Sequence, residues 1–160
     1  MLIGVVADTH SLPVPQQMLD DFKNVDLIIH AGDICEIKDL EIFKKIKNTQ
    51  AVYGNMDSPV VRQTLPGKII FNAGTVAIGV FHGEGPAAQV PKRVQKEFER
   101  DAVNVVVFGH SHHAFNDRIG KVLYFNPGSP SDKVCAPYRS YGILEINGSQ
   151  VTGKIIKIKD

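Results

Sequence analysis

Short apolar runs alternate with amphipathic helical patterns along the first two thirds of the chain. The apolar runs predict buried strands at residues 2–7, 26–30, 51–53, 69–81 (two strands with a turn at Asn72, Ala73 and Gly74) and 104–108. The helical patterns predict helices at residues 14–22, 37–46 and 91–101. This alternation is typical of an α/β domain with a largely parallel sheet.

The last third of the chain has a different pattern. Residues 121–125, 141–146 and 151–158 are predicted strands without intervening helices, and Asn147-Gly148 is typical of a hairpin turn between the last two. Two sheets packed face to face, with the helices outside, would bury both sets of strands. No repeat or linker interrupts the chain, so we expect a single domain over residues 1–160.

Composition adds little about function. Of the 160 residues, 43% are hydrophobic and 22% are charged, as in ordinary globular proteins. The net charge of +1 does not favour nucleic-acid binding. The basic residues near position 95 are interpreted as a solvated helix face; they are Lys92, Arg93, Lys96 and Arg100.

The sequence predicts a cytoplasmic protein that does not span a membrane. Cys35 and Cys135 form no Cys-x-x-Cys pair and are expected to be reduced thiols. The first apolar run has no basic segment before it and ends at Asp8, unlike a signal peptide. No apolar stretch reaches the roughly 20 residues of a membrane span. Pairing of the apolar tail strands could produce a homo-oligomer.

Oxygen and imidazole side chains follow five of the predicted strands. The five blocks are Asp8-Thr9-His10, Gly32-Asp33, Gly54-Asn55-Met56-Asp57, His82-Gly83 and Gly109-His110-Ser111-His112. Ligands of open α/β sheets bind at the carboxyl ends of the strands, so these side chains are expected to converge.

Each block alone also has a structural interpretation. Asp8 could cap a helix, and Gly32-Asp33 is a common turn dipeptide. Asn55 and Asp57 could make side-chain-to-backbone turns, and a single histidine such as His82 is usually structural. The pair His110-x-His112 is harder to explain by packing. The shared position of all five blocks at strand ends favours a functional site.

The donor set points to divalent metal ions. Asp, His and Asn without thiolates suit Mn²⁺, Fe, Zn²⁺, Ni²⁺ or Mg²⁺. A carboxylate such as Asp33 can bridge two cations about 3.5–4 Å apart, an arrangement that activates a shared water for in-line displacement at phosphorus. Asn55 can ligate a metal without cancelling the positive charge that attracts a phosphate.

These five blocks, in this order, resemble the calcineurin-like metallophosphoesterase family, and the short chain resembles its small YfcE/MJ0936-type phosphodiesterase branch. The resemblance spans residues 1 to about 130 and includes Asn126-Pro127-Gly128-Ser129. It implies a four-layer α/β/β/α sandwich of two mixed sheets flanked by helices. It also implies a hydrolase that cleaves a small phosphodiester, for instance a nucleotide-derived one, with a hydroxide bridging two divalent ions.

The resemblance assigns the metal ligands residue by residue. The first metal would be held by Asp8, His10 and His112, the second by Asn55, His82 and His110, and Asp33 would bridge them. Asn55 and His110 are also the predicted catalytic residues. Mn²⁺ is the first choice of metal, with Ni²⁺, Mg²⁺, Fe and Zn²⁺ as alternatives.

Some positions depart from the family pattern or are left open. Met56 stands where many relatives have a histidine that could protonate the leaving oxygen, and a thioether cannot transfer a proton. Glu84 replaces another frequent histidine and is interpreted as a surface residue. His30 is interpreted as a core or supporting residue and His113 as an exposed loop residue. Arg118 and Arg139 are the candidates for phosphate contacts.

Two other functions remain open on the sequence. The first is a protein-binding scaffold of the same fold, like the family's retromer-subunit relative, although such a protein should have lost ligands. The second is a different hydrolase. Residues 109–113 approach a nucleophile elbow but lack its closing glycine, and amidohydrolase or β-lactamase-type metal sites have another motif order. No phosphate-binding loop of the NTPase type occurs.

Overall fold

The computed structural model describes residues 1–159, which form two five-stranded sheets. The first sheet contains, in spatial order, β10 (Gln150–Lys157), β9 (Ser140–Asn147), β1 (Leu2–Val6), β2 (Leu27–His30) and β3 (Thr49–Ala51). The second contains β4 (Lys68–Ala73), β5 (Val76–Phe81), β6 (Val105–Val107), β8 (Val122–Asn126) and β7 (Phe115–Ile119). The helices are α1 (Gln16–Phe22), α2 (Ile37–Lys44), α3 (Pro59–Thr64) and α4 (Val90–Glu97), the last preceded by a 3₁₀ turn at Ala87–Gln89.

Both sheets are mixed. In the first sheet β1, β2 and β3 are parallel, while β9 runs antiparallel to both β1 and β10. In the second, β5, β6 and β8 are parallel, and β4 and β7 are antiparallel edge strands. The parallel connections β1–β2, β2–β3 and β5–β6 pass through helices, whereas β6 and β8 are connected through β7; short turns join the antiparallel pairs β4–β5, β7–β8 and β9–β10.

Side-chain alternation along the strands produces four layers. Ile3 and Val5 of β1 face Val107 and Phe125 of the second sheet in the central core. Val6, on the opposite face of β1, packs in a separate cluster with Phe22 and Phe43 of α1 and α2. Val94 and Phe98, from α4 and the residue after it, cover the outer face of the second sheet. The predicted α/β/β/α sandwich of two mixed sheets is confirmed.

Two elements were missing from the sequence prediction. Helix α3 is short, but its start carries the expected chemistry: Pro59 is in the first turn and the Ser58 hydroxyl accepts a hydrogen bond from the Val61 N–H. Strand β7 is mostly exposed and therefore lacks an apolar run. The predicted third strand also lies two residues earlier, at β3. Within residues 1–159, no helix is long and apolar enough to cross a lipid bilayer.

Candidate metal centre

All seven predicted ligands lie together at the carboxyl ends of β1, β2, β3, β5 and β6. Ligand atoms of Asp8, His10 and His112 lie within 4.8 Å of one another, and the same holds for Asp8, Asp33 and His82. Asn55 and His110 join the second group, because Asn55 Oδ1 lies 3.1 Å from His82 Nε2 and 2.8 Å from His110 Nδ1. The expected convergence of the five blocks is therefore present.

The backbone turns sharply where it delivers these side chains. Five of the seven have left-handed backbone conformations with φ between 50° and 68°: Asp8, His10, Asp33, His110 and His112. Such conformations cost non-glycine residues on the order of 1–3 kcal/mol each and cluster at functional sites. These residues lie two to five positions beyond the ends of β1, β2 and β6, in the loops that bring the ligands together.

One half of the centre, the first half, contains Asp8, His10 and His112. The Nε2 atoms of His10 and His112 face each other at 3.1 Å, and Asp8 Oδ1 lies 3.6 Å from His112 Nε2. Two donors at about 2.1 Å from one cation, at right angles, are separated by about 3 Å. The spacing of these atoms therefore fits a shared divalent ion.

The second half contains Asn55, His82 and His110, and Asp33 lies between the halves. Asp33 Oδ2 is 3.3 Å from His82 Nε2 and 3.8 Å from His10 Nε2. Its other oxygen, Oδ1, accepts a hydrogen bond of 2.8 Å from the Met56 N–H. One carboxylate oxygen thus faces both halves while the other is held by the backbone, as a bridging role would require.

The outer nitrogens of three histidines have partners that fix their orientation. His82 Nδ1 lies 2.7 Å from the Ala31 carbonyl oxygen, and His110 Nε2 lies 2.9 Å from that of Gly85. His112 Nδ1 instead meets a carboxylate, Asp132 Oδ2, at 2.6 Å. Since these nitrogens donate outward, the inner nitrogens are left as lone-pair donors toward the centre.

Burial and charge shift the titration of the cluster. Burial raises the pKa of the Asp8 carboxyl to about 6, although His82 and His112 lie nearby. Burial opposes protonation of His82, but the Asp33 and Asp8 carboxylates outweigh it and raise the pKa of His82 to about 9. Burial also opposes ionisation of Asp33, yet His82 holds the pKa of this carboxyl below its usual value. The two buried carboxylates therefore favour a positive charge beside them, which protonated His82 supplies.

Asp57 holds the two loops that carry Asp33 and Asn55. Its carboxylate accepts hydrogen bonds from the backbone N–H groups of Gly54 (2.6 Å), Cys35 (2.6 Å) and Asp33 (3.2 Å). The interpretation of Asp57 as a residue that makes side-chain-to-backbone turns agrees with these contacts.

The loop that follows β8 supports the first half. The Ser129 hydroxyl donates to the Asp8 carbonyl oxygen at 2.8 Å, and Asp132 three residues later contacts His112. Asn126 and Ser129 belong to the signature noted in the sequence, but Asp132 lies beyond it. The signal in the sequence that could have indicated Asp132 is its position shortly after that signature.

The remaining candidate residues lie around the centre. Met56 and Glu84 have exposed side chains, and Glu84 pairs with Arg93 at 3.5 Å. His113 is exposed, with Nε2 3.3 Å from the Cys135 carbonyl oxygen. Arg118, on edge strand β7 of the second sheet, donates from its guanidinium to the backbone carbonyl of Val151 on β10 of the first sheet, and its phosphate contact stays a prediction. Arg139 lines a cavity of about 300 Å³ together with Asp132.

His30 is completely buried beside the centre. Its Nε2 lies 3.1 Å from the Thr9 hydroxyl, and its ring packs edge-on against Phe43. Burial lowers the pKa of His30 to about 3. The unfolded chain takes up this proton near pH 6.5, whereas the folded protein does not, so acidification between about pH 6.5 and 3 favours unfolding.

We expect the His30→Gln variant to lose less stability on acidification than the wild-type protein. Within that range, the slopes of the free energy of unfolding against pH should differ between the two proteins by nearly one proton, about 1.4 kcal/mol per pH unit. Urea unfolding of the metal-free proteins between pH 6.5 and 4.5 measures it. Parallel pH dependences of the two proteins would contradict the assignment to His30.

Comparisons with known proteins place this chain in a family. Residues 1–149 match the calcineurin-like phosphoesterase superfamily domain, and the chain belongs to that superfamily. A probable metallophosphoesterase of Methanocaldococcus jannaschii, MJ0623, is 34% identical over 100% of this chain and 83% of its own length. The phosphodiesterase MJ0936 of the same organism is 27% identical over 80% of this chain and 83% of its own length.

Solved structures show the same fold. An archaeal phosphodiesterase superposes with a TM-score of 0.80 at 23% identity, covering 98% of this chain and 100% of that one. The Zn²⁺ complex of Vps29 from Entamoeba histolytica gives a TM-score of 0.74 at 23% identity, covering 98% of this chain and 99% of that one. The family resemblance predicted from the sequence is confirmed, and the protein is a metallophosphoesterase by family.

Proposed function

We propose that this protein is a phosphodiesterase whose active site holds two divalent metal ions. The observation that carries the proposal is the donor cluster itself: seven oxygen and nitrogen donors on five strand ends, spaced as ligands of shared cations. The proposed ligands are Asp8, His10 and His112 for the first ion, Asn55, His82 and His110 for the second, and Asp33 as the bridge.

Two bound cations would supply Lewis-acid chemistry, lowering the pKa of a water and neutralising charge on the phosphate. The protein's own residues set the geometry of this chemistry. Asp33 fixes the separation of the two halves, and the Met56 N–H prevents its carboxylate from rotating. Asn55, a neutral donor, leaves more positive charge for the phosphate than a carboxylate would. His110 is held in place through its contact with the Gly85 carbonyl.

The proposal includes Mn²⁺ as the first candidate metal. The proposed substrate is a small phosphodiester, for instance a nucleotide-derived one. The donor set contains no thiolate and binds several first-row cations, so metal supply decides among them. The phosphodiesterase among the relatives supports the diester class. We also propose a single domain and a cytoplasmic location, in line with the free thiols of Cys35 and Cys135.

The test is an assay of bis(p-nitrophenyl) phosphate and p-nitrophenyl phosphate with metal-free protein and a series of divalent metals. We expect diester hydrolysis only with metal, strongest with Mn²⁺ and abolished by a chelator. His110→Ala should lower kcat/KM by about 10²–10³, because it removes a donor from the second half. His113→Ala is the matched control, since this exposed histidine lies three positions further along the same loop and should retain full activity.

Activity that survives the chelator, or equal losses in the two histidine variants, would refute the metal mechanism. A preference for the monoester would overturn only the substrate class. Absence of both metal binding and activity would instead support a protein-binding scaffold of this fold.

A further inference from the structure

A cavity of about 230 Å³, the side cavity, opens beside the second half of the metal centre. Its wall includes Asn55 and His82, so a phosphate held at the centre has this cavity directly alongside. The rest of the wall comes from Tyr53, Gly54, Arg62, Gly67, Phe81, Gly83 and Glu84. We infer that the side cavity binds one ester substituent of the substrate, an uncharged aromatic ring. This inference rests on the proposed function.

The charges in the wall disfavour a second phosphate. The Arg62 guanidinium donates hydrogen bonds to the carbonyl oxygens of Asn55 and Asp57, at 2.5 and 3.1 Å, and lies 5.5 Å from the centre of the Tyr53 ring. It is therefore occupied in holding the ligand loop. Glu84 adds a carboxylate to the same wall, and it lies 3.5 Å from the Arg93 guanidinium, so the wall offers an anion no additional cation. A neutral group fits these surroundings.

Size and shape favour a single ring. Sites for drug-sized ligands have about 300–1,000 Å³, and the side cavity is smaller. Tyr53 and Phe81 are half-buried and present aromatic surface, which stacks with or packs edge-on against another ring. One substituent of a diester would enter, and the other would remain in solvent, so the protein should select for one aromatic substituent only.

Gly67 keeps the cavity open. A Cβ atom at this position would lie 2.9 Å from the Tyr53 hydroxyl oxygen, so a larger side chain would push into the cavity or displace the ring. The atoms closest to a Cβ at Gly67 belong to Tyr53 and not to any of the seven proposed ligands. Replacing Gly67 therefore tests the cavity without altering the metal donors.

The experiment uses phenylphosphonate and methylphosphonate, which share a metal-binding head group and are not hydrolysed. Calorimetric titration of the Mn²⁺-loaded protein should give at least tenfold tighter binding of phenylphosphonate. In Gly67→Val this preference should fall to less than threefold while methylphosphonate binds unchanged, and in Phe81→Leu it should be reduced. Gln63→Val, an exposed substitution on α3, is the control that should keep the preference.

The outcomes distinguish failure of the ring-binding cavity from failure of the metal centre. Equal binding of both phosphonates by the wild-type protein, or an unchanged preference in Gly67→Val, would overturn the ring-binding cavity while leaving the metal centre intact. Failure to bind either phosphonate, together with failure to bind Mn²⁺, would refute the proposed function itself.

A second inference comes from independent contacts of Asp132. Its Oδ1 accepts hydrogen bonds from the N–H groups of Val134 and Cys135, and its Oδ2 accepts one from Ala136, so the carboxylate is rigidly placed. Among the four histidines of the cluster, His112 has a carboxylate against its outer nitrogen, whereas His82 and His110 have carbonyl oxygens. A carboxylate partner orients the ring and raises the basicity of the nitrogen that ligates.

The same loop also secures another donor of the first half. The Ser129 hydroxyl donates to the Asp8 carbonyl oxygen and accepts from the Asp132 N–H at 3.0 Å. Asp8 and His112 are thus tied to one short segment. We propose that Asp132 is a positioning residue that strengthens metal binding at the first half selectively.

Calorimetric titration with Mn²⁺ tests this role. Asp132→Asn should weaken one of two binding events by about 10–100-fold and leave the other within threefold. Asp132→Glu, which keeps the charge, should retain most of the affinity, and the neighbouring Lys133→Ala should match the wild type. Equal weakening of both events, or equal effects of Asn and Glu, would overturn the proposal and leave Asp132 a purely structural residue.

Discussion

Asp33→Asn should lower kcat/KM for bis(p-nitrophenyl) phosphate at least a thousandfold. The substitution removes the negative charge of a carboxylate between the two halves of the centre, where Asp33 Oδ2 faces both His10 and His82. Metal ions contribute several kcal/mol to stabilising the transition state, and about 4 kcal/mol corresponds to a thousandfold in rate. An amide can accept the Met56 hydrogen bond, so the loop itself should stay in place. Steady-state kinetics with saturating Mn²⁺ measure the effect.

Metal stoichiometry distinguishes this loss from unfolding. Asp33→Asn should bind fewer than two equivalents of Mn²⁺ while its circular dichroism remains that of the wild type. Asp20→Asn, at an exposed position of helix α1, is the control and should retain full activity and stoichiometry. A variant at Asp33 that still binds two ions and turns over within tenfold of the wild type would show that this carboxylate is not the bridge.

Asp57→Ala should lower the free energy of unfolding by about 3–5 kcal/mol, the range for breaking a buried charged network. The carboxylate is 5% exposed and accepts three backbone hydrogen bonds, which would all lose their acceptor. Bonds to charged groups contribute about 1.5–3 kcal/mol each, and buried N–H groups without partners add a penalty. Since domains have only about 5–15 kcal/mol in total, the variant should be marginally stable. Urea unfolding of the metal-free protein gives the value.

Two further variants bracket this prediction. Asp57→Asn keeps one acceptor oxygen and should lose less stability than Asp57→Ala. Asp20→Ala removes an exposed carboxylate and should unfold at nearly the same urea concentration as the wild type. If Asp57→Ala unfolded at the same urea concentration as the wild type, Asp57 would not be the residue that holds the two loops.

The local pattern of the sequence was sufficient for the elements that are buried. Strands β1, β2 and β6 have continuous apolar runs because both of their faces are covered, and such runs are visible without any structure. Strand β7 could not be found in this way, since an exposed edge strand buries almost no side chain and is fixed by pairing with β8. Short α3 depends similarly on its capping and on its place between β3 and β4.

For the candidate site, the amino-acid pattern was enough to identify the chemically competent residues and their positions after strand ends. The parallel order of β1, β2 and β3 then made convergence of Asp8, Asp33 and Asn55 a topological consequence. The tertiary structure alone decided the supporting contacts. Asp132 contacts His112, 20 residues away in sequence, and Arg62 on helix α3 holds the Asn55 loop. These contacts could not be predicted, because they depend on loop paths that no periodicity encodes. The side cavity likewise exists only where separate loops meet.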